Sequence, residues 1–81
     1  MNELETLAAR WMEVVVAAID EATQLQNPHA YALIEPHRLA FQLTNTILDT
    51  LRDYRRRGQT WKASLIFMDG APPYALFERI D

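Results

Sequence analysis

Arg52, Arg55, Arg56 and Arg57 crowd four guanidinium groups into six positions, with Tyr54, Trp61 and Lys62 close by in the chain. Guanidinium groups bind phosphate through paired N–H donors, and aromatic faces stack on bases, so this mixture is what a nucleic-acid site uses. A second chemistry fits the same residues. Arginines at the carbonyl end of a helix complement its dipole, and Asp49 and Asp53 stand three or four positions from Arg52, Arg56 and Arg57, the spacing of intrahelical ion pairs. The net charge of -3 lacks the basic excess of a typical nucleic-acid binder. Anion or nucleic-acid contact by Arg52, Arg55, Arg56, Arg57 and Lys62 is therefore the secondary reading.

His29, Glu35 and His37 supply the only other reactive grouping, since two imidazoles and a carboxylate can ligate zinc. Their spacing matches no ligand motif, and Pro36 separates the carboxylate from the second imidazole. Nucleophilic catalysis has no footing either: there is no cysteine, the single serine is Ser64 inside an alternating segment, and no base stands at a recognisable distance from it. Two glycines, Gly58 and Gly70, cannot build a phosphate-cradling loop. The expectation is a non-enzymatic chain with no catalytic residue, no metal and no cofactor.

The remaining candidate chemistry is apolar. Leu4, Leu7, Trp11, Val14, Ala18 and Leu25 recur at near-heptad spacing, and Met12, Val15, Val16, Ile19 and Ala22 widen the stripe beyond what a surface helix needs. Either the chain covers the whole stripe itself or part of it meets another molecule. Fully burying Met12, Val16 and Ile19 contributes roughly 1.5 to 3 kcal/mol each, a large share of the stability of an 81-residue domain. Met12, Val16 and Ile19, with Trp11 and Tyr74 as aromatic anchors, are thus the expected partner-binding residues. The expected partner is another protein, including a second copy, in the role of adaptor, subunit or inhibitor masking a target surface. A phage or mobile-element product acting on host machinery is one version of the inhibitor.

Local signals place these side chains on four elements. Asn2 and Glu5 have capping-box spacing and start a helix running to about residue 25, which Gln26-Asn27-Pro28 ends. Residues 28–34 are ambiguous between a short helical turn, opened by Asn27 and Pro28, and a strand; the helical turn is preferred. Glu35-Pro36 opens a second long helix, with Ala40, Leu43, Ile47, Leu51 and Tyr54 along its inner face and Gly58 past its end. After Gly58 the period changes to two. Trp61, Ala63, Leu65 and Phe67 alternate with Lys62, Ser64, Ile66 and Met68; Asp69-Gly70-Ala71-Pro72-Pro73 turns the chain, and Tyr74 to Ile80 returns. The mixed outer face of that hairpin leaves room for another strand or a partner.

The fold class expected is α+β, two long helices packed on a C-terminal antiparallel β-hairpin, in a single domain over 1–81. Charge is unevenly spread. Five acids against Arg10 give -4 up to Ile34, and six bases against three acids give +3 from Glu35 to Lys62. The longest apolar run, Val14 to Ile19, is far short of the roughly 20 residues that span a bilayer. A soluble cytoplasmic protein without membrane contact is the default.

Overall fold

The computed structural model describes residues 2–81. Helix α1 spans Glu3–Gln24 and strand β1 His29–Leu33; a 3-10 helix occupies His37–Gln42; helix α2 spans Thr44–Arg56, and strands β2 and β3 span Trp61–Ile66 and Tyr74–Arg79. The result is the expected α+β fold, with two long helices and a β-hairpin, and one strand more than the sequence reading assigned. The sheet is antiparallel with order β1-β3-β2. No helix among the described residues is long and apolar enough to cross a membrane.

Both long helices end in the same way. At the end of α1, Gln26 takes a left-handed φ of 55°, its N–H reaches the Thr23 carbonyl at 3.2 Å and the Asn27 N–H reaches Ala22 at 2.8 Å. At the end of α2, Gly58 has φ 87°, its N–H reaches Arg55 at 3.0 Å and the Gln59 N–H reaches Tyr54 at 3.0 Å. These are paired Schellman caps, which satisfy carbonyls that the last helical turn leaves free. At the other end of α1, Asn2 Oδ1 accepts from the Glu5 N–H at 2.8 Å, one half of the expected capping box.

Two local expectations are corrected. Residues His29–Leu33 form a strand and no helical turn, with Ala30 and Ala32 facing the core and His29, Tyr31 and Leu33 facing out. The decisive contact is distant: β3 has a second edge, and Ala30 and Ala32 pair there with Phe77 and Ala75. The second helix does not run on from Glu35-Pro36. A 3-10 turn comes first and α2 begins at Thr44. The anticipated inner face survives this break, because spacings of three and four keep its residues on one side: Ala40, Leu43, Ile47 and Tyr54 are buried, and Leu51 is half-buried against them.

The helices cover one face of the sheet only, α1 chiefly over β1 and α2 over β2. Between the layers Val15 and Ile19 of α1 meet Ile34, Leu39, Leu43 and Phe77, all without solvent exposure.

Candidate functional site

Among the described residues, no element covers the opposite face of the sheet. Side chains alternate along a strand, so the residues between the buried ones point outward. Register sets them in three rows: His29, Glu78 and Lys62; Tyr31, Leu76 and Ser64; Leu33, Tyr74 and Ile66. The first row is polar, and the other two are apolar but for Ser64. Tyr31 is 70% exposed and Leu33 52%, and together with Tyr74 and Leu76 they line a shallow depression. Just beyond Ile66, Phe67 and Met68 are exposed as well.

The two outer strands differ in what their free edges offer. The Ile80 N–H donates to the Thr60 carbonyl at 2.9 Å, which with the β2–β3 register turns the backbone groups of Lys62, Ser64 and Ile66 toward β3. Trp61, Ala63 and Leu65 therefore aim their N–H and C=O groups away from the sheet. On β1 the Ile34 N–H donates to Pro73 and the Arg79 N–H to Pro28, so His29, Tyr31 and Leu33 hold the free edge. That edge is blunted. Asn27 Oδ1 accepts the His29 N–H at 3.0 Å, and the Trp11 indole Nε1 donates to the Leu33 carbonyl at 2.7 Å. Strand β2 has no such guard among the described residues, and Lys62 is its only charge.

Comparison with protein-family models, curated proteins and solved structures finds no match. Of the partner-binding set, Met12 and Ile19 are 8% and 0% exposed and Trp11 is 5% exposed, which removes these three from any free surface of the protomer. They are buried because α1 lies flat on the inner face of the sheet, with Met12, Val15 and Ile19 turned into the core. Val16 lies at the margin, 36% exposed, and Tyr74 is half-buried on the open face.

The arginine cluster is exposed and largely engaged within the chain. Arg52 pairs with Asp49 at 3.4 Å and Arg56 with Asp53 at 3.3 Å, both at i,i+3 spacing, and Arg57 lies 4.3 Å from the centroid of the Tyr54 ring. Arg55 and Arg52 border a groove with Leu48, Leu51, Thr60 and Trp61. Lys62 stands apart on β2, opposite Glu78. His29 opens β1 and Glu35 lies past its other end, so roughly 20 Å of extended chain parts that imidazole from the carboxylate. No group of three His, Cys, Asp or Glu side chains among the described residues is placed to hold a metal ion.

Sequence reasoning missed Tyr31 and Leu33. The aromatic set of Trp11, Tyr31, Phe41, Tyr54, Trp61, Phe67, Tyr74 and Phe77 reads by position as mostly core material, Trp11 and Tyr74 being the interface anchors, yet Tyr31, Phe41 and Phe67 are exposed. The signal was present as alternation: the alanines Ala30 and Ala32 mark the side where a helix approaches closely, and the larger Tyr31 and Leu33 must then lie opposite.

Proposed function

We propose that this protein is a non-enzymatic protein-interaction module, acting as an adaptor, a subunit or an inhibitor that masks a target surface. It works in the cytoplasm and docks an extended, apolar segment of another protein as a fourth strand on β2. The observation that supports this most directly is the unguarded edge of β2, where the half-buried Ala63 and Leu65 present two N–H and two C=O groups beside an open sheet face, while Trp61 at the start of the strand is buried. A strand added there gains main-chain hydrogen bonds along the edge and contact for its alternate side chains with Ile66 and the apolar rows beyond it. The arginines closing α2 favour the nucleic-acid alternative less, since Asp49 and Asp53 already neutralise two of them.

Selection from a library of random peptides tests the proposal. Peptides with alternating apolar residues should be enriched on the wild-type protein. Their binding should be lost on Ala63→Pro, which deletes an outward N–H without touching the ladder to β3. Far-UV circular dichroism and cooperative unfolding establish that the variant is folded. No enrichment, equal binding to both proteins, or salt-sensitive binding of DNA or RNA that disappears in an Arg55, Arg56, Arg57 triple alanine variant would each overturn it.

A further inference from the structure

The flank of the molecule where α1 overhangs β1 has a different character from the open face. Two grooves run along it, one on each side of Tyr31. The first is bordered by Leu7, Arg10 and Val14 from α1, and the second by Ala18, Glu21 and Leu25 from the same helix. At 100° per residue these six positions fall within an arc of about 80°, a single stripe along one side of the helix. Val14 and Leu25 are 55% and 70% exposed, so the stripe is not consumed by the protomer's own core.

The order along this stripe is self-complementary. A twofold axis through Tyr31 passes α1 midway between Val14 and Ala18, and it sets α1 antiparallel to its symmetry mate. Leu7 then faces Leu25 of the other copy, Val14 faces Ala18, and Arg10 comes level with Glu21, twice over. Arg10 is the only lysine or arginine before Arg38, and among the described residues neither Arg10 nor Glu21 has an ion-pair partner within the chain. An unpaired cation and an unpaired anion, each beside exposed leucine or valine and exchanged by one rotation, fit a twofold interface in which the same patch serves both subunits.

We infer that the occupant of this flank is a second copy of this chain, held by an antiparallel α1–α1 seam with Tyr31 of each copy at its centre. The blunted edge of β1 agrees with a seam made by side chains, since Trp11 and Asn27 already occupy backbone groups that a strand-to-strand joint would need. The area fits a reversible dimer. A 22-residue helix is about 33 Å long, and with a depth no greater than the molecule's smallest extent of 17 Å the flank offers at most roughly 560 Å² per copy, near the lower end of specific interfaces. The β2 edge lies on the other side of the sheet, so this inference does not depend on the proposed peptide docking.

Sedimentation equilibrium from about 1 µM to about 1 mM, with charge exchange, tests the seam. The wild type should shift from monomer to dimer across that range. Arg10→Glu and Glu21→Arg, each exposed and each creating like-charge contacts at two symmetric places, should weaken association about tenfold or more, and the double variant should restore it. A wild type that stays monomeric throughout overturns the inference, as do single variants that associate as the wild type does or a double variant that fails to recover. Circular dichroism separates lost association from lost folding.

Discussion

The hydroxyl of Tyr54 on α2 donates to Asp20 Oδ1 on α1 across 2.8 Å, tying the two long helices together at a ring that is only 1% exposed. Burial first, and then the bond to Asp20, push the phenol pKa up to about 12. The fold thus favours the neutral phenol. Its contribution is fully present below the ordinary tyrosine value of about 10 and is lost as pH rises from there through about 12. The urea midpoint of the wild type should fall over that window, and Tyr54→Phe should fall less. At neutral pH the same substitution should cost about 0.5 to 1.5 kcal/mol, measured by urea unfolding.

Ile19 and Val16 sit three positions apart on α1 and should respond to truncation to very different extents. Ile19 has no exposure, so Ile19→Ala leaves a cavity among Val15, Leu39 and Phe77 and should cost about 2 to 5 kcal/mol. Val16→Ala, at the solvent margin, should stay within about 0.5 kcal/mol of wild type. Comparable losses at the two sites in chemical denaturation would contradict the orientation of α1.

The two Schellman caps offer a matched pair of substitutions. Gly58 has φ 87° and open space around its missing side chain, so Gly58→Ala meets no clash and costs only backbone strain, about 1 kcal/mol. Gln26 holds a left-handed φ of 55° without being glycine, and Gln26→Gly should raise stability by a few tenths to about 1 kcal/mol. Thermal unfolding of both variants, with midpoints moving in opposite directions, is the check.

Asp81 fastens the start of β2. Its carboxylate accepts from Arg79 Nε at 2.8 Å and Nη2 at 3.1 Å and from the Thr60 N–H at 3.1 Å. The Arg79 bond, followed by the Thr60 N–H, holds its pKa down at about 2. A depressed carboxylate contributes above its ordinary value near 4 and loses that contribution as pH falls through about 2. The Thr60 amide should therefore exchange hydrogen faster in Asp81→Ala than in wild type at pH 5, and the difference should shrink toward pH 2.

Much of this arrangement is written locally. Asn2 and Gly58 mark helix ends through their own side chain or their lack of one, the inner stripe of α2 follows from apolar spacing, and the hairpin follows from the change of period after Gly58. The open face was legible in part, because Lys62, Ser64, Ile66 and Met68 read as a mixed outer side. The arginines were legible as a helix terminus with aspartate partners. The segment from His29 to Ile34 was not, because six residues of His, Ala, Tyr, Ala, Leu and Ile suit a helical turn and a strand equally.

That choice was made by β3, whose unpaired edge some 45 residues further along gains a full ladder when β1 adds to it. The same distant event settled which apolar residues of α1 are covered. A stripe on a helix states only that a surface will be buried, and the direction from which the sheet arrives decides that Met12 and Ile19 become core while Val14 and Leu25 face solvent. Capping, turn geometry and periodicity act over one to four residues and so follow directly from composition and spacing. Burial and strand pairing depend on contacts between segments far apart in the chain, and only the folded arrangement specifies them.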